Sequence, residues 1–296
     1  MGPRDDCALL DGWLISTDVS VEGTHFRLDW SSLEEAIEKA LLSNFSDINA
    51  MGGTTGFVLL GLCLNRRWDK AMQARAADAF AEVCNRYGVR ILGGDTVVGD
   101  VASFSITVLG KCGSNQNPML RSNAKVGDWL YVSGQLGASG AGLWALQNVP
   151  QARSLYPEIV GAHLVPKVPL GLGPLVLEKG EGRACIDISD GLSSELHHLA
   201  LQSGVGIEIQ AREIPVHGGV LGLCSAYGLS SEKFWLHGGE EYQLLFTSAL
   251  APSLLVLPLW PFEIHCIGKV IDGSGVTLVT LDGKKKNVEL GAWSHL

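Results

Sequence analysis

The chain has 296 residues, which suggests two domains more readily than one. Its hydrophobic share of 46% is enough for ordinary globular cores, and its formal net charge of −9 disfavours nucleic acid, whose phosphates are held mainly by Lys and Arg. No apolar run is long enough to span a bilayer, and seven scattered Cys without a C-x-x-C pair read as reduced, cytoplasmic thiols.

In chain order, Asp5 and Asp6 fall where an apolar leader core would be needed. Trp13–Asp18 reads as a short strand ending on Ser16, Thr17 and Asp18. Ser31 or Ser32 then caps a long helical pattern through Ala36, Ile37, Ala40, Leu41, Phe45 and Ile48. Its end carries Asn44 and Asp47, i and i+3 on one face. An acid near a helix C-terminus opposes the dipole, so a role beyond helix stability is expected; the alternative is a solvated face. Thr55–Leu64 is nearly continuous in apolar residues and reads as a well-buried strand. Asp69–Tyr87 reads as an amphipathic helix, Arg90–Leu92 as a short strand ending in Gly93-Gly94-Asp95-Thr96, and Ser103–Lys111 as another strand. This order predicts an α+β arrangement rather than a doubly wound sheet.

Cys112–Leu120 is the best linker candidate, dividing the chain into residues 1–115 and 116–296. A strand at Trp129–Val132 leads into the Gly-rich Ser133–Gly142, which opens a helix. Its spacing is wrong for a dinucleotide fingerprint, so close helix packing is its expected role, and no P-loop exists. Helices are expected around Ala152–His163 and Leu170–Glu178, and a strand over Gly206–Ile209.

Cys185–Leu192 reads as strand, acidic turn, helix. Asp190 suits a helix N-cap, but Asp187, ending an apolar strand, is costly unless solvated, paired or metal-bound. Gly238-Gly239-Glu240-Glu241, before the strand Gln243–Phe246, reads equally as a close approach to a ligand or as a turn. Ile264–Val270 and Gly275–Leu281 look like an edge hairpin, and Lys284–Lys286 like a solvated edge.

The notable acids are Asp5, Asp6, Asp18, Asp47, Asp95, Asp187 and Asp190. Dispersed single carboxylates suit several Mg²⁺ ions around a polyphosphate, and no His or Cys accompanies them as zinc would require. Such a site points to phosphoryl transfer by metal clamping, with Arg121 and Lys39 as the direct phosphate contacts.

These stretches, together with Glu22–Phe26, Asn44–Ile48, Ala50–Gly52, Arg121-Ser122, Gly127-Asp128 and Gly238–Tyr242, occur in an order that resembles the thiamine-monophosphate kinase family. The resemblance covers almost the whole chain. It implies a two-domain aminoimidazole-ribonucleotide-synthetase-like fold of mixed sheets flanked by helices. It implies ATP and Mg²⁺, thiamine monophosphate as acceptor, and a homodimer built through the N-terminal domains. Carried over by motif, Asp6, Ser16, Thr17, Asp18, Asp47, Asp95, Asp187 and Asp190 would be the Mg²⁺ shell. Gly94, Asp95, Arg121 and Ser189 would hold ATP, and His25 and Glu240 the substrate. The substrate phosphate would attack directly, with no acid or base residue. Arg4 stands where the family has a glycine, and Leu296 where it has an aromatic residue packing on the substrate, with Trp293 the alternative. Sister activities of the superfamily (selenide–water dikinase, hydrogenase maturation) lack their expected cysteines here. A non-catalytic nucleotide-binding homologue is the reading of another class.

Overall fold

A computed structural model describes residues 5–114, 116–255 and 260–291. The first half runs β1 (Ala8–Leu10), β2 (Trp13–Val21), α1 (Leu33–Ala50), β3 (Thr54–Asn65), α2 (Lys70–Arg86), β4 (Arg90–Gly99) and β5 (Ser103–Lys111). Its strands form one sheet in the order β1-β2-β5-β3-β4, parallel only at β3–β4.

Helix α1 starts at a full capping box. The Ser32 hydroxyl accepts the Glu35 N–H at 3.1 Å, and the Glu35 carboxylate accepts the Ser32 N–H at 2.8 Å. It is buried on nearly every side, because it packs on β2, β3 and β5 as well as on elements of the second half. Ile37, Leu41, Phe45 and Ile48 are fully buried, each contributing about 1.5–3 kcal/mol. Helix α2 is capped by Asp69, whose side chain accepts the Met72 N–H.

The second half continues β6 (Trp129–Ser133), α3 (Ala138–Asn148), α4 (Ala152–Leu155), α5 (Pro157–Leu164), α6 (Leu172–Lys179), β7 (Gly182–Asp187), α7 (Leu192–Ser203) and β8 (Gly206–Gln210). It ends with α8 (Gly218–Tyr227), α9 (Glu232–His237), β9 (Leu244–Ser248), α10 (Pro252–Leu255), β10 (Ile264–Ile271), β11 (Gly275–Val279) and β12 (Lys285–Asn287). The sheet order is β12-β11-β8-β10-β6-β9-β7, mixed because β11 runs parallel to β8. Mixed sheets flanked by helices agree with the expected architecture.

Several expectations need correction. Strand β3 is not buried throughout: Val58, Leu60 and Leu64 face the helices, while Leu59 on the open face is 40% exposed. Strand β4 continues through Gly93-Gly94-Asp95-Thr96 instead of ending there. Two features allow it. Gly94 has φ +155°, and a Cβ on it would fall 1.8 Å from the Leu60 carbonyl oxygen. The helix expected around 152–163 is broken at Tyr156 by Pro157, which opens α5. The expected C-terminal hairpin does not form: β10 lies inside the sheet between β6 and β8, and β11 pairs with β8. Asp190 is not an N-cap, since Gly191 occupies that position with φ +112°. Helices α8 and α9 were not expected. The stretch around 112–120 is docked, with the Met119 N–H on the Met51 carbonyl at 3.1 Å. Among the described residues no helix is long and apolar enough to cross a membrane.

Candidate active site

Strand β2, helix α1, the end of β7 and the segment before β1 converge on one point. The Ser16 hydroxyl donates to the Asp47 carboxylate at 2.5 Å. The Asn44 side-chain oxygen accepts the Asp18 N–H at 3.2 Å, while its amide donates to the Ala40 carbonyl. The polar pair on α1 therefore faces β2 instead of solvent. Asp6, Asp47 and Asp187 bring carboxylate oxygens within 4.8 Å of one another. Arg121 donates to Asp6 Oδ1 at 2.5 Å, and its backbone N–H goes to Asp5 at 2.8 Å.

This cluster is short of positive charge. Burial raises the Asp47 carboxyl well above its ordinary value, and the charges of Asp187, Asp18 and Asp6 add to it. Burial, then the Asp6 charge, pushes Asp187 up to about 8. Asp6 Oδ2 and Asp187 Oδ2 are buried without a hydrogen-bond partner. Three carboxylates beside one guanidinium, with unmatched oxygens and no nitrogen or sulfur donor, fit a hard divalent cation.

The turn after β7 adds Ser189 and the exposed Asp190. Both are held from behind by Glu195, which accepts the Asp190 N–H at 2.9 Å. Burial pushes Glu195 up to about 8. The loop 238–242 crosses this turn, with the Glu240 N–H on the Ser189 carbonyl at 2.6 Å and the Tyr242 N–H on that of Ile188. A Cβ on Gly239 would come within 2.7 Å of the Ser189 oxygen, so the two glycines serve a close approach of backbones. His25 Nδ1 accepts the Val21 N–H; burial raises the Asp18 carboxyl, the nearby His25 ring opposing it, and His25 adds a small lowering to Glu240 behind that of Lys39. Lys39 does not reach into this site as a phosphate contact. It is buried and donates to Glu240 at 2.8 Å.

Three expected members stay apart within one chain. Thr17 points to the opposite face of β2 from Ser16, where its hydroxyl meets that of Thr107 at 3.0 Å. Asp95 lies on β4 at the far edge of the sheet, in register with Gly61, Ser105 and Val19. With ~4.8 Å between strands, that is about 14 Å from β2. Gly94 shares this edge, and both residues are exposed. Trp293 and Leu296 lie outside the described residues.

Residues 4–112 match the family described as AIR synthase related protein, N-terminal domain, and residues 125–246 match its C-terminal domain. A thiamine-monophosphate kinase of Mycobacterium tuberculosis is 35% identical over 96% of this chain and 83% of its own length. That of Aquifex aeolicus is 32% identical over 95% and 87%. The chain belongs to the thiamine-monophosphate kinase family. A solved structure of this family, AaThiL complexed with AMPPCP and TMP, is 30% identical to the chain. It superposes with a TM-score of 0.85 over 99% of this chain and 92% of its own. The Escherichia coli HypE structure, 23% identical with a TM-score of 0.76, shares the fold alone.

Two residues at the site escaped the sequence reading. Glu195 had a faint signal, an acid in the first turn of a helix just after an acidic loop. His163, whose Nδ1 lies 3.4 Å from Glu240, had none, because only tertiary packing brings α5 against α1.

Proposed function

We propose that this chain transfers the γ-phosphoryl group of ATP to thiamine monophosphate, giving ADP and thiamine diphosphate. The observation that carries the reading is the buried Asp6–Asp47–Asp187 cluster with Arg121 as its cationic neighbour. Asp6, Asp47 and Asp187 would hold Mg²⁺ directly, with Ser16, Asp18 and Asp190 around them. Bound Mg²⁺ would neutralise charge on the polyphosphate. Arg121 anchors Asp6 and offers its remaining guanidinium surface to ATP, and Ser189 presents the turn below it. His25 and Glu240 face the acceptor. The acceptor's phosphate oxygen is already anionic, so direct in-line attack needs no strong general base.

Thr17 and Asp95 enter the same shell, and Gly94 with Asp95 the ATP site, if a second copy covers the open face of the five-stranded sheet. Support comes from that face and its edge, where Val19, Leu92, Val97 and Val98 are about half exposed. A long apolar edge strand of this kind calls for a cover. The homodimer through residues 1–115 is thus part of the proposal, with residues 116–296 as the second domain. Cytoplasmic residence accords with seven cysteines, all unpaired.

The test is incubation of the folded protein with Mg²⁺, ATP and thiamine monophosphate. Thiamine diphosphate is the expected product, and its absence would overturn the reading.

A further inference from the structure

Glu240 and Tyr242 have φ of +60° and +51°, yet Gly238 and Gly239 beside them do not take positive φ. A turn with no other duty would place glycine at the left-handed positions. A glutamate held there indicates that its side chain is what the loop presents. That side chain is gripped from two other elements. Lys39 of α1, with its side chain 8% exposed, donates to Glu240 Oε2 at 2.8 Å. His163 Nδ1 of α5 lies 3.4 Å from the same oxygen and 3.3 Å from the Ser139 hydroxyl. The Ser139 N–H in turn goes to the carboxylate of Glu241, at 3.0 Å. A ring of contacts therefore closes from Glu240 through His163 and Ser139 to Glu241, and Lys39 ties it across 201 residues of sequence to the helix that bears Asp47.

We propose that Lys39, backed by His163, is a positioning residue for substrate recognition: it holds the Glu240 carboxylate toward thiamine monophosphate and takes no direct part in phosphoryl transfer. The inference rests on the kinase reading above, and on Glu240 facing the acceptor. The geometry leaves Lys39 little alternative use. Its ammonium is buried behind Glu240, and Glu240, 28% exposed, is the partner that reaches solvent. The surroundings of Glu240 act in the same sense: against the burial that would raise it, the Lys39 ammonium foremost keeps its carboxyl below the ordinary range, while burial and then Lys39 push His163 down to about 4, so that a neutral imidazole stands beside it.

Steady-state kinetics on Lys39→Met, Lys39→Arg, Glu240→Gln and the double variant Lys39→Met/Glu240→Gln test this. Lys39→Met is expected to raise KM for thiamine monophosphate about tenfold, with kcat and KM for ATP within about twofold. Lys39→Arg should recover most of the loss. In the Glu240→Gln background, Lys39→Met should add no further effect. A fall in kcat or a rise in KM for ATP, with KM for thiamine monophosphate unchanged, would make Lys39 a phosphate contact and overturn the proposal. So would effects of the two substitutions that multiply. Should Lys39→Met not fold by thermal melting, Lys39→Arg and His163→Asn carry the comparison, the latter raising the same KM about threefold or more. Failure of the kinase reading is separate: it appears as a wild-type protein that makes no thiamine diphosphate.

Discussion

The Asp6–Asp47–Asp187 cluster and the Lys39–His163–Glu240 cluster each take one side chain from α1, Asp47 and Lys39, and are both largely buried, but they differ in charge balance. In the first, carboxylates outnumber cations and two oxygens lack partners. In the second, the carboxylate has a cation at 2.8 Å and an imidazole behind it. Charge balance separates a site from the scaffold that holds it. An unbalanced buried cluster is stable only with charge brought from outside, whereas a balanced one fixes a side chain in place.

The largest effect should come from breaking the unbalanced cluster. Asp47→Asn or Asp187→Asn is expected to lower kcat at least about 10³-fold. The metal-free protein should melt no lower, because a repulsive buried charge has been removed. Loss of activity with a lowered melting point in the absence of Mg²⁺ would mean the carboxylates are structural. Lys39→Met, by contrast, should leave kcat nearly intact.

Proton linkage sharpens the contrast. With Asp187 pushed up to about 8, the folded metal-free state retains a proton that the unfolded chain loses above its ordinary carboxyl range. Stability from this group is full below about pH 4 and is lost as pH rises toward 8. Melting followed against pH should show this decline, and saturating Mg²⁺ should remove it, adding about 2.7 kcal/mol at a hundredfold excess over Kd. Glu241, raised by its own burial to about 8, gives a decline of the same sign. That share should persist with Mg²⁺ and disappear in Glu241→Gln. A decline wholly insensitive to Mg²⁺ would remove Asp187 from the metal shell.

The smallest effect belongs to the surface. Lys285 pairs with Glu208 at 2.6 Å while 66% exposed. Lys285→Ala should change stability by no more than about 0.5–1 kcal/mol in denaturant titration, in contrast to the buried pair of Lys39.

Much of this was legible in the residues because it depended on local pattern. The Ser32 cap, the 3.6-residue apolar period of α1 and α2, and the acid ending β7 all announce themselves over a few positions. What misled was any feature decided by partners distant in sequence. Ile264–Val270 looked like half a hairpin, but strand pairing with β6 and β8 claimed it first. Lys39 looked like a phosphate ligand, but Glu35 and Glu38 beside it are taken by Arg153 and Arg86, and its partner lies 201 residues away at Glu240. Asp190 had the composition of a cap, but the sharp positive-φ turn at Gly191 took the position, leaving the carboxylate exposed.

Helix α1 carries Lys39, Asn44 and Asp47, and also Asn49, whose side-chain oxygen accepts the N–H groups of Gly171 and Gly173 at the start of α6. These side chains leave the helix in several directions and each is committed to a different neighbour. Inserting or deleting one residue within α1 would rotate everything beyond it by about 100° relative to the rest. All of these commitments downstream of the change would fail together. A point substitution at the half-exposed Glu34 loses only its surface pair with Arg75, whereas a change in the length of α1 would break contacts on several elements at once.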